Sequence, residues 1–400
     1  MNPFKKVFPY SKQYIDNSDI EYVKRVLKQG FITQGPEIIK TEKKIAKYVG
    51  SKYAVLVSSC SAGLHISCKA LQINKSSRVI TTPITFVSTA TSALHCGANV
   101  SLSDIDKDSI NLSLKDLNTN IKEKNLDLII PVHFSGFPCE MKKIRKMASK
   151  KKINIIEDAA HAFGAKYQDG SRVGNCKYSD LTVFSFHPVK IITGGEGGAV
   201  TTNSKKLYNK LLEYRSHGIN KDPKEKFIDK IRGYTNKKKN IWYYEMKDLG
   251  YHYRQTDIQS ALINSQINKL NLFLNFRKKV AEYYDKLFQG LDLIKVYNSR
   301  YRKQSSNHLY IIKIEFKKLK ISRNDLMIKL RKFGIITQVH YIPLYFHPYF
   351  KNKKIFMKKN SNSIKYYQNC LSIPIYYGLK PIEQKYIFSK IKYLVYSNIK

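Results

Sequence analysis

The 400-residue chain lacks several features that would assign it to particular protein classes. No apolar run reaches the length needed to span a membrane, and the first ten residues, MNPFKKVFPY, contain no signal-peptide hydrophobic region. Internal repeats and low-complexity tracts are also missing. These absences exclude a membrane role and lead us to expect a cytoplasmic protein with ordinary globular domains.

Cysteine is scarce and scattered. The six cysteines form no CxxC pair, and they are Cys60, Cys68, Cys96, Cys139, Cys176 and Cys370. In a cytosolic protein this distribution predicts free thiols and no zinc site. The histidines His133, His161 and His187 show no ligand spacing either, so we expect no metal, and His133 and His187 are interpreted as structural.

Acidic residues are few: the chain has 30 Asp and Glu residues and 71 Lys and Arg residues, which gives a formal charge of +41. Such an excess invites a nucleic-acid interpretation. The lysines, however, are spread from end to end, and the densest cluster, residues 221–240, includes acids and is predicted to be a solvated loop. We therefore expect no nucleic-acid partner. A positive field would instead attract anionic substrates such as nucleotide diphosphates, and salt would weaken that attraction.

Apolar strands alternate with helical patterns in the first half of the chain. The stretch YAVLVSSCSAGLHISCKALQI is a strand entering a helix, and LDLIIPVHFSG, EMKKIRKMASKKK and INIIEDAAHAFG give strand, helix and strand. This alternation predicts βαβ units and a mainly parallel sheet covered by helices on both faces. Ligands of such sheets bind at the carboxyl ends of the strands, so candidate site residues should follow strands.

The second half begins with a long helical pattern, TDIQSALINSQINKL, for which Thr256 is the predicted N-cap. Shorter strands and one further helix follow after about Leu291. The predicted organisation is an N-terminal segment with a large α/β domain over residues 1–255, a linking helix over 256–290, and a smaller α+β domain over 291–400.

One lysine has unusual surroundings. In LTVFSFHPVKIITGGEGGAVTTN, Lys190 follows an apolar strand and precedes four glycines at positions 194, 195, 197 and 198. A lysine at a sheet edge is usually a solvated surface group. Here, however, Asp158 directly follows the strand INIIE, and a pyridoxal phosphate site requires a lysine and a carboxylate at the ends of two core strands. The lysine holds the aldehyde as a Schiff base, and the carboxylate keeps the pyridine nitrogen protonated.

Other residues suit the remaining parts of this cofactor. SSCSAGLH places Ser59 and Ser61 where a strand becomes a helix, which is a favourable position for a phosphate. Ser185 offers a further hydroxyl, and Phe86 in TPITFVST offers a flat partner for the ring. Each feature alone is common, but together they favour a pyridoxal phosphate site.

Seven blocks of the sequence resemble one family in order and spacing: FITQGP, YVGSKYAVLVSSCSAGLH, TTPITFVSTA, EDAAHAFGA, FSFHPVKIITGGEGGAVTTN, RSHGI and YRQTDIQSAL. This is the DegT/DnrJ/StrS family of sugar aminotransferases. The resemblance covers nearly the whole chain and implies pyridoxal 5'-phosphate as cofactor and the type I aminotransferase fold. That fold is α/β, with a mainly parallel central sheet sandwiched by helices and a smaller C-terminal α+β domain. It also implies a homodimer with shared active sites.

The resemblance also implies residue roles. Lys190 would be the catalytic Schiff-base lysine, and Asp158 would hold the pyridine nitrogen. The other cofactor contacts would be Phe86 stacked on the ring, His161 against its other face or its phenolic oxygen, and Ser61, Ala62 and Ser185 on the phosphate. Some family members carry histidine in place of the lysine and act as dehydratases, so Lys190 favours transamination.

The sequence departs from the family at three positions. An asparagine that the second subunit usually directs to the phosphate is replaced by His252 in GYHYR, and histidine can still donate that hydrogen bond. Gly195 stands where relatives commonly carry threonine, and Cys60 stands where they carry glycine. We expect His252 to keep the phosphate contact and the other two changes to be tolerated.

The blocks SSNHLY and TQVHYIPLY are most similar to those of aminotransferases of pseudaminic acid synthesis. This implies a UDP-linked 4-ketosugar substrate, L-glutamate as amino donor, and a sugar-nucleotide site formed by Tyr10, Thr33, Gln338, His340 and Tyr341. Ordinary packing in an aromatic-rich domain is the alternative for these five residues. Alternative substrates are a D-xylo UDP-sugar or a dTDP- or GDP-linked 4-ketosugar. A non-catalytic cofactor binder or a nucleic-acid-binding regulator is the more remote interpretation.

Overall fold

A seven-stranded sheet forms the centre of the larger part of the molecule. The computed structural model describes residues 4–220, 226–353, 355 and 361–400, so the first five residues of the predicted loop 221–240 lie outside the described residues. The sheet order is β1-β7-β6-β5-β4-β2-β3. Its strands are β1 (Tyr53–Val57), β2 (Arg78–Thr81), β3 (Asn99–Leu102), β4 (Leu128–Ile130), β5 (Asn154–Asp158), β6 (Leu181–Ser185) and β7 (Gly198–Thr202). Strand β7 runs antiparallel to its neighbours β6 and β1, and the remaining strand pairs are parallel. The mainly parallel sheet predicted from the sequence is confirmed.

Helices cover both faces of this sheet. One face packs on α2, α5, α6 and the first half of α8, and the other packs on α3, α4 and α7. The helices preceding α8 are α1 (Asn17–Leu27), α2 (Pro36–Val49), α3 (Cys60–Ala70), α4 (Ser88–Leu94), α5 (Leu114–Glu123), α6 (Met141–Ser149) and α7 (Lys205–Arg215). Alternate residues of β1, such as Leu56 and Val55, enter opposite apolar clusters because successive strand side chains point to opposite faces.

Short strand pairs connect α7 to α8. Strand β8 (Ile219–Asn220) pairs with β11 (Glu245–Met246), and β9 (Tyr234–Thr235) pairs with β10 (Lys238–Lys239). Within residues 226–250 many large apolar side chains are exposed, including Ile241 and Trp242. In the described part of the predicted loop, residues 226–240, most side chains are exposed, including the apolar Ile228 and Ile231, but Phe227 is buried.

Helix α8 (Asp257–Phe288) runs for 32 residues from the large sheet to a second core. Thr256 caps it as predicted, because its hydroxyl accepts a hydrogen bond from the Gln259 N–H at 3.2 Å. The buried Asp257 carboxylate also accepts hydrogen bonds from the N–H groups of Gly35 and Glu37, at 2.8 and 2.9 Å, so α8 caps the N-terminus of α2.

The second core is built on a three-stranded antiparallel sheet in the last third of the chain. Its strands are β12 (Ile294–Val296), β13 (Tyr310–Ile314) and β14 (Cys370–Ile373), and helices α9 (Arg323–Lys332) and α12 (Pro381–Tyr396) pack into the same core. Helices α10 (Pro348–Asn352) and α11 (Asn362–Asn369) lie in the same part of the chain, but Phe350 of α10 packs into a core of the large sheet and Tyr366 of α11 into a smaller cluster. This is the expected smaller α+β unit, while the domain boundaries given above stay a prediction. Among the described helices none is long and apolar enough to cross a membrane, and all six cysteines are free thiols.

Candidate active site

A cavity of about 830 Å³ lies at the carboxyl edge of the central sheet. Its lining includes residues that follow β1, β2, β4, β5 and β6, as the strand-end argument predicts. Ten of the thirteen predicted site residues line this one cavity: Tyr10, Ser61, Phe86, Asp158, His161, Ser185, Lys190, Gln338, His340 and Tyr341. Residues far apart in sequence thus meet where the sequence interpretation placed them.

Lys190 lies in the turn between β6 and β7, where its N–H donates to the His187 carbonyl at 2.9 Å. The side chain is half-buried and lines the cavity. Burial lowers the pKa of the Lys190 amine to about 8, although nearby Cys60 and Asp158 oppose this shift. A lysine with this pKa is partly neutral near neutral pH, which an attacking amine or a proton carrier requires.

The Asp158 carboxylate is held in place at the end of β5. Thr89 donates its hydroxyl hydrogen to Asp158 Oδ2 at 2.6 Å, and the Ala160 N–H donates to Oδ1 at 3.1 Å. The Thr89 hydroxyl also lies 2.6 Å from that of Thr85. All three side chains are buried, so the Asp158 carboxylate is held in a fixed orientation by two donors.

His161 is buried beside Asp158 and Lys190, and Nε2 lies 3.1 Å from the Tyr341 hydroxyl. Its Nδ1 atom is buried and has no hydrogen-bond partner among the described residues, and the His161 ring centroid lies 4.5 Å from that of His308. Burial is the main cause that holds the pKa of His161 well below its usual value, and the nearby charges of Lys190 and His340 act in the same direction. His161 is therefore a neutral ring with one free nitrogen.

The predicted phosphate region lies at the start of α3, whose first N–H groups have no partner within the helix. Ser59 caps this helix by accepting from the Ala62 N–H at 3.1 Å, and Ser61 and Ser185 line the cavity. Gly198 of β7 packs against this turn so closely that a Cβ atom there would lie 2.7 Å from the Cys60 nitrogen. Glycine at this position lets the backbone of β7 lie directly against the backbone at the start of α3.

The predicted sugar residues reach the cavity from two other segments. The Tyr10 and His340 ring centroids are 5.0 Å apart, and His340 Nδ1 lies 2.9 Å from the Ser372 hydroxyl. Burial, with the Lys190 charge, lowers the pKa of His340 to about 3. Gln338 is exposed in the lining, and burial raises the pKa of Tyr341.

Three predicted residues lie apart from this lining. Ala62 takes part through its backbone N–H in the cap of α3, as described above. Thr33 is exposed and forms an isolated bridge with Thr256, and His252 is exposed, bridged to Ser216 and 5.4 Å from the His217 ring. Neither Thr33 nor His252 contributes to the cavity of its own chain, so their predicted roles require a second subunit.

Several lining residues were missed by sequence reasoning. Cys60 was noted only as a departure, and His308 was quoted within SSNHLY without a role. Thr85 and Thr89 were missed as well. Thr89 lies on α4 and Thr85 precedes that helix, and only the fold shows that the Thr89 hydroxyl meets both Thr85 and Asp158.

The sequence profile of the DegT/DnrJ/EryC1/StrS aminotransferase family matches residues 13–392. The chain belongs to this family. The UDP-4-amino-4,6-dideoxy-N-acetyl-beta-L-altrosamine transaminase of Campylobacter jejuni subsp. jejuni serotype O:23/36 is 36% identical over 380 residues, which are 94% of this chain and 95% of that relative. Helicobacter pylori PseC, an aminotransferase involved in the biosynthesis of pseudoaminic acid, superimposes with a TM-score of 0.88 and 29% identity. The match covers 98% of this chain and 100% of PseC.

The sugar aminotransferase Spr1654 of Streptococcus pneumoniae, in its PLP form, gives a TM-score of 0.87 at 27% identity over 98% of this chain and 100% of that one. As a DegT/DnrJ/EryC1/StrS member, this chain is a pyridoxal-phosphate-dependent sugar aminotransferase. Its cavity fits the cofactor, because Lys190, Asp158 and serine hydroxyls at a helix N-terminus converge there, and His161 Nδ1 is a buried nitrogen that none of the residues described by the structure satisfies.

Proposed function

We propose that the protein transfers an amino group from L-glutamate to C4 of a UDP-linked 4-keto-6-deoxy-N-acetylhexosamine, as in pseudaminic acid biosynthesis. The observation that carries this proposal is that Tyr10, Gln338, His340 and Tyr341 line the same cavity as Lys190. Its volume, about 830 Å³, lies within the range of small-molecule sites. The similarity to the Campylobacter jejuni transaminase supports the choice of sugar.

Pyridoxal phosphate supplies, when bound, an aldehyde for linkage to amino groups and a ring that withdraws electrons from the reacting carbon. Lys190 would hold the cofactor at rest. Once displaced by the amino donor, its amine would remove the proton from Cα of glutamate and later return a proton to C4 of the sugar. The lowered pKa of Lys190 suits both directions of transfer.

The other lining residues would hold the reactants in place. Asp158, oriented by Thr89, would keep a proton on the ring nitrogen. His161 and Phe86 would lie against the cofactor ring, and the hydroxyls of Ser61 and Ser185 would bind its phosphate. Tyr10, Gln338 and His340 present groups that can donate to or accept from sugar hydroxyls and the N-acetyl group.

We also propose a homodimer in which His252, and Thr33 with it, reach the site of the second copy. Both residues are exposed and lie apart from the lining of their own cavity. The segment that leads to His252 exposes Ile231, Ile241 and Trp242, with exposed fractions of 89%, 101% and 71%. Exposed apolar residues of this size are typical of an interaction surface, and a second copy would cover them.

The sugar assignment is tested by product formation from two epimers of the UDP-linked N-acetylamino 4-ketosugar with L-glutamate as donor. We expect the L-arabino epimer to give a higher kcat/KM than the D-xylo epimer, because a site built to pair a substrate's polar groups penalises an isomer that leaves them unpaired. Preference for the D-xylo epimer, or for a dTDP- or GDP-linked ketosugar, would overturn the sugar assignment and leave the aminotransferase chemistry standing.

A further inference from the structure

Arg277, in the middle of α8, is a buried cation whose role is not explained by the chemistry described above. Its side chain is 2% exposed, and no carboxylate pairs with it in the described parts of the chain. Burial lowers the pKa of its guanidinium to about 10. Burying an unpaired charge is costly unless hydrogen bonds compensate, so the acceptors around Arg277 identify what the residue does.

Arg277 donates to three segments that are distant in sequence. Nη1 donates to the carbonyl oxygens of His308 and Ile375, at 3.2 and 3.1 Å, and Nη2 donates to the Ser11 hydroxyl at 3.3 Å. The planar guanidinium presents several donors in fixed directions, so one side chain can hold all three acceptors in one arrangement.

Each of these acceptors is next to the cavity lining. The Ser11 hydroxyl donates in turn to the carbonyl of Val189 at 2.8 Å, and Val189 directly precedes Lys190. The Ile375 N–H donates to the Tyr10 carbonyl at 3.0 Å. His308 itself lines the cavity, with its ring against that of His161.

We propose that Arg277 is a positioning residue that, through Ser11, fixes the Lys190 turn relative to the cavity-lining residues Tyr10 and His308. Arg277 lines no part of the cavity, and it is carried by the 32-residue helix α8. A displacement of about 1 Å at a reacting group can reduce a rate by about 10²-fold, so a fixed Lys190 turn matters for catalysis. The inference rests on the proposed role of Lys190 and is independent of which sugar is used.

The test is a double-mutant cycle on the full-length protein with Arg277→Met and Ser11→Ala. Two rates are measured: uptake of pyridoxal phosphate by cofactor-free protein, followed by absorbance, and the half-reaction with L-glutamate. Lys278→Met, at a neighbouring position on the same helix where the side chain is 41% exposed, is the matched control. Circular dichroism reports whether each variant is folded.

Arg277→Met loses three hydrogen bonds, and Ser11→Ala loses the bonds to Arg277 and Val189. Since one hydrogen bond to a charged group is worth about tenfold or more, we expect each variant to slow both rates by at least about tenfold. The double variant should be no slower than Arg277→Met alone, because both changes break one chain of contacts. Lys278→Met should match the wild type.

Effects that multiply in the double variant, or an Arg277→Met rate within twofold of the wild type, would overturn the proposal. If Arg277→Met does not fold, the test rests on Ser11→Ala alone. A wild-type rate of cofactor uptake in Ser11→Ala then overturns the proposal. Failure of the Lys190 assignment is distinguishable, because Lys190→Ala would then carry out the half-reaction with L-glutamate at the wild-type rate.

Discussion

At the scale of single residues, Lys190 is the residue that we propose carries the chemistry, and its replacement gives the first prediction. Lys190→Ala should still bind pyridoxal phosphate through the remaining lining residues, but the half-reaction with L-glutamate should slow by about 10² to 10⁴-fold, because the proton carrier is lost. The measurement is single-turnover absorbance after mixing with glutamate. A wild-type rate would show that another group carries the proton in this half-reaction.

The pKa of Lys190 gives a prediction about pH. Since burial lowers that pKa from 10.5 to about 8, the rate of cofactor uptake should rise with pH and reach half its maximum near pH 8. An ordinary exposed lysine would shift this midpoint above pH 10, and such a result would contradict the buried environment.

The prediction about pH extends to stability, because the same lowered pKa of Lys190 makes the free energy of unfolding depend on pH. The unfolded chain binds more protons than the folded chain between pH 8 and 10.5, so the penalty of the charged Lys190 is largest below pH 8 and disappears above 10.5. In denaturant titrations of cofactor-free protein, Lys190→Met should therefore be stabilising below pH 8, by an amount that shrinks as the pH rises.

Thr89 gives a third prediction at this scale, because its hydroxyl donates to Asp158. Thr89→Val keeps the shape but removes the donor, and we expect the half-reaction with glutamate to slow by about tenfold. Thr89→Ser keeps the hydroxyl and should remain near the wild-type rate. Equal rates in the valine and serine variants would mean that Asp158 does not depend on this contact.

At the scale of elements, the contact between β7 and the start of α3 gives the fourth prediction. A methyl group on residue 198 would meet the backbone of Ser59 and Cys60 at 2.7 Å, so Gly198→Ala should push β7 from the predicted phosphate turn. We expect weaker cofactor binding in equilibrium titrations. Gly30→Ala is the control, because no described atom lies within 4 Å of the methyl group that it adds, and this variant should bind the cofactor normally.

The elements were also where sequence reasoning worked well. The strand INIIE and the cap at Thr256 were predicted because apolar strands and N-caps depend on residues close together in the chain. The contacts of Thr89 with Asp158 and of Arg277 with Ser11 were not predicted, since they join elements whose relative placement depends on the whole fold.

At the scale of the whole molecule, the proposed dimer gives the fifth prediction. Chains with Lys190→Ala and chains with His252→Ala should each be impaired, but mixing them should restore up to about a quarter of wild-type activity. Half of the randomly formed dimers contain both chains, and one of their two sites is intact. The assay is amination after unfolding and refolding the two chains together, compared with each chain refolded alone.

Two outcomes would count against shared sites. Mixed chains with only the sum of their separate activities would show that each site is complete within one chain. A His252→Ala variant with unchanged cofactor affinity would show that His252 does not take the place of the usual asparagine. Both measurements leave the Lys190 and Asp158 assignments unaffected.

The position of β1 at one edge of the central sheet has a consequence for synthesis on the ribosome. Within the described residues its strand partner is β7, which begins at Gly198, so β1 stays unpaired until about half of the chain has been made. The helix that follows β1 bears the predicted phosphate turn, and β7 presses against it. Contacts between residues this distant in sequence form late, and an apolar strand that has no partner is prone to aggregate until its partner has been made. We therefore expect nascent chains that end before residue 198 to remain bound by chaperones.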